Sequence, residues 1–137
     1  MFLDTSAIIA ILDAEPGWEL LLEKVVGADK IYTGAHVRLE TSIVFASLKS
    51  MQPEKAEEYF DDFIGKYNVT VLSLTNAIAS LAVTAFQRFG KGRKTKAQLN
   101  FADCMSYAFA AHQNLPVLHI GNDFTHTDLA LVGLRNA

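Results

Sequence analysis

Four acidic residues occupy positions in this 137-residue chain that a solvated surface does not explain. Asp103 lies within a run of helical composition that is apolar almost throughout, and it is the only acidic residue between Asp62 and Asp123. Asp4 and Asp123 follow short apolar runs typical of buried strands, and Glu40 interrupts the apolar stripe of a predicted helix. Because a carboxylate is rarely buried without a partner, we expect these side chains to meet in one pocket.

Clustered carboxylates point to a divalent cation. Like charges oppose each other's ionisation, and a bound cation removes this penalty. Hard ions such as Mg²⁺ take oxygen ligands, usually one or two carboxylates together with waters and substrate phosphate oxygens, and they can orient a phosphate and activate the attacking water. The pattern therefore indicates hydrolysis of a phosphate ester or phosphodiester. The candidate catalytic residues are Asp4, Glu40, Asp103 and Asp123, with Asp128 as a fifth candidate acid.

Simpler roles stay open for two of these acids. Asp4, Thr5 or Ser6 could each serve only as the N-cap of the helix that follows. Glu40 could form a surface pair with His36 one helical turn earlier. Other site types find less support, because the sequence has no Walker-type loop, no GxSxG elbow and no HExxH pair. Its single cysteine excludes an internal disulfide and a cysteine-rich metal site.

Short apolar runs alternate with helical segments along the chain. Strands are predicted at 1–3, 30–33, 69–74 and 116–120, with a short edge strand in the tail near Val132. This alternation favours βα units. The sequence therefore predicts an α/β fold, a three-layer α/β/α sandwich around a mostly parallel sheet of roughly five strands, in one domain spanning 1–137. Ligands of such sheets bind beyond the carboxyl ends of the strands, where Asp4 and Asp123 are expected.

Basic residues are concentrated in one segment, although the formal net charge is −3. Five of the twelve Lys and Arg residues fall within it, namely Arg88, Lys91, Arg93, Lys94 and Lys96. Such a cluster can contact nucleic-acid phosphates, and a solvated loop accounts for the charges equally well. No apolar run reaches the ~18 residues of a membrane span and no basic signal segment is present, so we expect a soluble, cytoplasmic protein.

Four segments together resemble the PIN-domain family, and most closely its VapC-type toxins. They are FLDTSAIIAIL at the N-terminus, the early helix that carries Glu40, LNFADCMSYAFA around Asp103 and GNDFTHTDLALV around Asp123. The resemblance covers nearly the whole chain and implies an α/β/α sandwich that hydrolyses RNA with Mg²⁺ or Mn²⁺. It implies Asp4 and Asp103 as the principal metal ligands, often through water. Glu40 and Asp123 would complete the cluster.

The same resemblance implies supporting residues and partners. Ser6 matches a hydroxyl residue that supports the site, and Asp128 is expected near it. Ala102 stands where glycine is common in similar sequences, and only three residues precede Asp4, which makes the first strand short. The implied partners are an RNA substrate, a second copy of the chain in a homodimer, and a VapB-like antitoxin that neutralises the acids with an Arg or another basic residue.

The residues and the resemblance together favour a Mg²⁺-dependent endoribonuclease, the toxin of a VapBC-type toxin–antitoxin pair. Two alternatives stay open. One is a metal-dependent nuclease that acts on DNA or structured nucleic acid, and the other is an inactive PIN-like module that binds RNA or a partner. Occupation of all four acid positions argues against the inactive module, because a non-catalytic copy need not keep buried charges. Phosphate contacts carry no sequence choice, so these residues do not define which RNA is cut.

Overall fold

Residues 1–134, the part of the chain that the computed structural model describes, form four strands and six helices, with two helices between successive strands. The strands are β1 (Phe2–Leu3), β2 (Tyr32–Gly34), β3 (Thr70–Leu72) and β4 (Val117–Leu118). The helices are α1 (Thr5–Leu12), α2 (Trp18–Gly27), α3 (Ala35–Lys49), α4 (Pro53–Lys66), α5 (Asn76–Phe89) and α6 (Phe101–Gln113). The last three positions of the predicted domain 1–137 lie outside the described residues. Within those residues, no helix is both long and apolar enough to cross a membrane.

The four strands form one parallel sheet in the order β3-β2-β1-β4. Successive residues of a strand face opposite sides of a sheet. Both residues of β1 and both residues of β4 are fully buried, so both faces of the sheet are covered. The predicted three-layer α/β/α sandwich is therefore confirmed.

The tail adds a single bridge to the sheet where an edge strand was expected, so within residues 1–134 the sheet has four strands where roughly five were predicted. The Thr127 hydroxyl donates to the carbonyl of Phe124 at 2.7 Å and accepts from the N–H of Leu129 at 3.3 Å. This closes a turn shortly before the tail reaches β4. Because the turn uses most of the segment, only Leu131 then bridges Val117.

The central strand β1 marks the point where the direction of strand addition reverses, with β2 and β3 on one side and β4 on the other. Leu3 of β1 pairs with Leu118 of β4, and the N–H of Asp4 donates to the carbonyl of Leu118 at 3.1 Å. In open parallel sheets the crevice at such a point, beyond the strand carboxyl ends, is the usual ligand site. The acids that follow β1 and β4 are therefore placed at this edge.

Three stacked rings join β1, α3 and α6. The ring of Phe109 in α6 stacks on Phe2 of β1 at 5.9 Å between centroids and on His36 of α3 at 5.4 Å. Gly34 at the end of β2 makes room for this stack. A Cβ on Gly34 would lie 2.6 Å from the Phe109 ring and 2.7 Å from the His36 ring. The ring stack of Phe2, Phe109 and His36 thus fixes these three elements against one another.

Candidate active site

Asp4 is held at the junction of β1 and α1. It is the N-cap of α1, and its Oδ2 accepts hydrogen bonds from the Ser6 N–H at 3.1 Å and the Ser6 hydroxyl at 2.6 Å. The Ser6 Oγ in turn accepts from the N–H of Ile120, just after β4, at 3.0 Å. Ser6 therefore ties the end of β1 to the end of β4. The cap occupies Oδ2 of Asp4 and does not occupy Oδ1, so a capping role and a site role are compatible.

Asp103 lies in the first turn of α6 and not within the body of a longer helix. The helix starts at Phe101, with Asn100 as its N-cap. The two residues form a reciprocal capping box, in which Asn100 Oδ1 accepts from the Asp103 N–H at 2.9 Å and Asp103 Oδ2 accepts from the Asn100 N–H at 3.0 Å. The exposed N–H groups of a helix start favour negative charge. As in Asp4, the cap uses Oδ2 and leaves Oδ1 to other partners.

Burial makes Asp103 difficult to ionise. The side chain is only 8% exposed. The pKa of Asp103 is raised to about 7, chiefly by burial, whereas the hydrogen bond from the Asn100 backbone opposes the rise. The charges of Asp123, Asp4 and Glu40 raise this pKa further. Near neutral pH a substantial fraction of Asp103 is therefore protonated unless a cation is bound.

Glu40 belongs to the same electrostatic environment. It is half-buried on α3, and burial raises the pKa of its carboxyl group, with smaller contributions from the charges of Asp4 and Asp123. The hydroxyl of nearby Thr5 lowers the pKa of Glu40. This hydroxyl is buried and forms no hydrogen bond of standard geometry among the described residues. The surface pair with His36 is not formed, because the His36 ring is hydrogen-bonded to α6. A role of Glu40 in the group of acids therefore fits the structure better than a surface pair with His36.

Asp123 completes the group from the exposed side. It follows β4 in a turn where Gly121 has a φ of +94°, a conformation that glycine adopts without strain. Its charge raises the pKa of both Glu40 and Asp103. Four acids that are distant in sequence thus lie close together, since the charges of Asp4 and Asp123 act on both Glu40 and Asp103. We refer to Asp4, Glu40, Asp103 and Asp123 as the acid cluster.

The donor set of the acid cluster fits a hard divalent cation. Every side-chain donor is a carboxylate oxygen, and the two buried aspartates each have an Oδ1 outside their caps. Within residues 1–134, no three His, Cys, Asp or Glu side chains form a ready-made set of direct ligands. Mg²⁺ typically keeps several waters and takes one or two carboxylates. The donor set is therefore compatible with the ligands that the family resemblance implies, Asp4 and Asp103, and that assignment stays a prediction.

Asp128 makes its contacts elsewhere. Its Oδ1 accepts from the Tyr107 hydroxyl at 2.5 Å and its Oδ2 accepts from Arg88 at 3.0 Å. These hydrogen bonds lower the pKa of Asp128, and burial together with Asp128 raises the pKa of Tyr107 to about 12. The charge of Asp128 is not among those that shift Asp103 or Glu40. Asp128 anchors the tail to α6, and its support of the site stays a prediction.

The basic segment forms an ordered loop between α5 and α6. The side-chain amide of Gln98 accepts from the N–H of Gly92 at 3.0 Å and donates to the carbonyls of Arg93 and Thr95 at 3.1 and 2.7 Å. Its exposed cations are Lys91, Arg93, Lys94 and Lys96, and none of them forms an ion pair within residues 1–134. Arg88 differs, because its guanidinium is paired with Asp128. We call residues 91–96 the basic loop.

Three supporting residues were not anticipated from the sequence. The spacing of Asn100 and Asp103 matches that of a capping box, so this contact had a local signal. Ser106 and Gln98 had none, because each makes contacts that depend on how the chain folds back.

Comparisons with known proteins agree along nearly the whole chain. The PIN domain profile matches residues 1–129, a range that includes every member of the acid cluster. Ribonuclease VapC28 of Mycobacterium tuberculosis is 39% identical over 127 residues, which cover 93% of this chain and 93% of that protein.

Two solved structures share the fold. The crystal structure of Mycobacterium tuberculosis VapC20, described as a Sarcin-Ricin loop cleaving toxin, superposes with a TM-score of 0.77 at 18% identity and covers 96% of this chain and 97% of that chain. A toxin–antitoxin complex from Klebsiella pneumoniae gives a TM-score of 0.69 at 15% identity, with 99% and 98% coverage.

Proposed function

The chain belongs to the PIN-domain family, and we propose that it is the endoribonuclease toxin of a VapBC-type toxin–antitoxin pair, hydrolysing RNA phosphodiester bonds with a divalent cation. The names of its relatives support the ribonuclease activity, and the descriptions of the solved structures with the same fold support the toxin role.

The acid cluster at the edge of the sheet carries this proposal. Its members come from the ends of β1 and β4 and from the helices α3 and α6, and the charges of Asp4 and Asp123 raise the pKa values of Glu40 and Asp103. A fold gains no stability from gathering like charges around a buried carboxyl group. A bound cation removes this repulsion, and a cation held by these carboxylates can also bind the phosphate oxygens of a substrate.

Each residue of the site has a defined part in the proposed reaction. A bound divalent ion would polarise the phosphodiester and make a coordinated water a stronger nucleophile. Ser6 and Asn100 fix the orientation of Asp4 and Asp103 through their Oδ2 atoms. Burial raises the pKa of Glu40, which makes its carboxylate a stronger base toward the attacking water. Mg²⁺ and Mn²⁺ both suit this oxygen-only site.

The antitoxin is the first proposed protein partner. The Klebsiella pneumoniae structure of the same fold is described as a toxin–antitoxin complex, and the relatives carry the VapC name. An Arg or another basic residue of a VapB-like antitoxin would neutralise the acid cluster by charge-assisted hydrogen bonds. Inhibition and occupation of the cation site would then be mutually exclusive.

A second copy of the chain is the other proposed protein partner. An apolar groove of about 350 Å³ runs between α5 and α6, and Phe86, Phe101 and Val83 line it. Phe101 is 83% exposed and Val83 is 70% exposed. A two-fold interface pairs one patch with itself, which an uncharged groove permits without repulsion. This groove supports the proposed homodimer. The cytoplasmic location expected from the sequence is a separate part of the proposal.

Cleavage of RNA by the purified chain tests the proposed function. We expect Mg²⁺ or Mn²⁺ to allow cutting of cellular RNA at defined sites, and EDTA to stop it, because the acid cluster needs a cation. Sequencing the 5′ ends of the products identifies the sites. Cleavage of DNA with RNA left intact would instead indicate a DNA nuclease, and RNA binding without any cleavage would indicate an inactive module.

The basic loop is expected to contact RNA phosphates. Replacing Lys91 and Lys94 by glutamine removes two exposed cations that have no ion pair among the described residues. If both lysines contact phosphates of single-stranded RNA, the plot of the logarithm of the RNA-binding constant against the logarithm of the salt concentration becomes less steep by about 1.4. Fluorescence anisotropy at several salt concentrations measures this slope.

The matched control for the basic loop changes Lys24 of α2 and Lys30, just before β2, to glutamine, which alters the net charge equally outside the basic loop. The control is expected to leave the salt slope at the wild-type value. Equal slopes for both double variants and the wild type would show that the basic loop is only a solvated segment.

A further inference from the structure

A hydrogen bond links the two helices that carry the inner acids. His36 Nε2 on α3 and the Ser106 hydroxyl on α6 lie 2.9 Å apart. His36 precedes Glu40 by one helical turn, and Ser106 follows Asp103 by about one turn. The bond therefore joins α3 and α6 close to the points where each presents its acid.

The surroundings hold the His36 ring in one orientation. The ring is nearly parallel to Phe109, with 5° between the planes, and Gly34 leaves the space in which it lies. Ser106 is fully buried. Both partners of the hydrogen bond are thus fixed by packing, which is how a supporting contact holds a site to within a fraction of an ångström.

We propose that His36 and Ser106 are positioning residues, whose hydrogen bond sets the separation of Glu40 from Asp103 and so the geometry of the cation site. This inference rests on the proposed function, because it concerns the same acid cluster. His36 touches neither the substrate nor the ion in this scheme. It acts through the relative placement of α3 and α6.

The chemistry of the ring suits a permanent structural bond better than a catalytic one. Burial lowers the pKa of His36 to about 4, so the imidazole stays neutral at physiological pH. A serine hydroxyl both donates and accepts, so it can pair with either neutral tautomer. The other ring nitrogen, Nδ1, is buried without a partner among the described residues. An apolar side chain would avoid this cost, so packing alone does not account for a histidine here.

Variants of the pair test the proposal by removing and restoring the hydrogen bond. Ser106→Ala and His36→Leu each remove it, whereas His36→Gln places an amide Nε2 near the original ring nitrogen. Loss of a contact that orients metal ligands typically costs 10–100-fold in metal affinity or activity. We expect kcat for RNA cleavage to fall about tenfold or more in Ser106→Ala and His36→Leu, with KM for RNA unchanged and substantial recovery in His36→Gln.

A readout independent of turnover accompanies the kinetics. Calorimetric titration of the RNA-free proteins with Mn²⁺ is expected to show weaker binding in Ser106→Ala by at least about tenfold. The matched control is Ser42→Ala, which also removes a buried hydroxyl, here on α3 two residues from Glu40. The Ser42 hydroxyl donates to the carbonyl of Arg38 at 2.7 Å, so its hydrogen bond stays within α3. This variant is expected to behave as the wild type. Should His36→Leu not fold, Ser106→Ala still decides the matter.

The outcomes separate the two proposals. Wild-type levels of both kcat and Mn²⁺ affinity in Ser106→Ala would overturn the positioning role while the proposed function stands. Equal losses in Ser42→Ala and Ser106→Ala would also overturn it, since any buried hydroxyl would then have the same effect. A wild-type chain that binds no Mn²⁺ and cuts no RNA would reject the proposed function, and the positioning role with it.

Discussion

Replacing Asp103 by asparagine is expected to lower the rate of RNA cleavage by about 1000-fold or more, because about 4 kcal/mol of transition-state stabilisation by the cation would be lost. Asparagine keeps the shape of the side chain and can still accept the N–H of Asn100 that closes the capping box. It removes the charged oxygen that a cation needs. Cleavage of a fluorescent RNA under single-turnover conditions measures the loss.

The folded state of the Asp103→Asn variant provides its own control. The folded-state pKa of Asp103 is about 7, above its ordinary value of 3.8, so its stabilising contribution is fully present below about pH 4 and is lost as the pH rises through about 7. A neutral amide avoids that loss. In EDTA at pH 8 the variant is therefore expected to be at least as stable to urea as the wild type.

Asp29→Asn is the matched substitution at an exposed carboxylate outside the acid cluster, and it is expected to change neither activity nor the pH dependence of stability. Undiminished cleavage by Asp103→Asn would contradict the role given to this residue. A large loss of stability in Asp103→Asn would mean that the carboxylate serves the fold more than the chemistry.

Replacing Gly34 by alanine is expected to destabilise the fold by about 1–3 kcal/mol, the usual cost of overpacking a core. The added Cβ would lie 2.6 Å from the ring of Phe109 and 2.7 Å from that of His36, so both rings would have to move. They belong to the ring stack that joins β1, α3 and α6. Urea denaturation measures the change.

Gly65→Ala is the matched control and has the opposite expected sign. Gly65 lies in α4, and a Cβ there meets nothing within 4 Å. Alanine is favoured over glycine in a helix by up to about 1 kcal/mol, so this variant is expected to be slightly more stable than the wild type. A Gly34→Ala protein as stable as Gly65→Ala would show that the ring stack tolerates displacement and does not fix the three elements.

The sequence was sufficient for the fold class, because hydropathy alternation is a local signal. Isolated charges in apolar runs are local signals too, and they singled out the four acids, whose catalytic role stays a prediction. The sequence placed Asp103 within an apolar helical run, whereas the cap at Asn100 puts this residue in the first turn of α6. It also predicted an edge strand in the tail. The local turn at Thr127 prevents that strand, and apolar composition alone does not reveal the turn.

Contacts between residues that are distant in sequence could not be predicted from the sequence. Arg88 belongs to the basic segment by position, yet its guanidinium is committed to Asp128, forty residues later. His36 was considered only as a neighbour of Glu40, four residues along the same helix, whereas its partner lies on α6. Helical spacing identifies neighbours within one element, and only the packing of elements decides which contact between helices is made.

The hydrogen bond from the N–H of Ile120 to the hydroxyl of Ser6 spans 114 positions of the polypeptide. Synthesis proceeds from the N-terminus, so Asp4 and Glu40 leave the ribosome long before Asp123 does. A nascent chain that has not yet reached Ile120 and Asp123 therefore lacks both the last member of the acid cluster and the contact that aligns Asp4. If the acid cluster cuts RNA as we propose, the ribosome that makes this chain has synthesised Asp123 before any nuclease activity can arise.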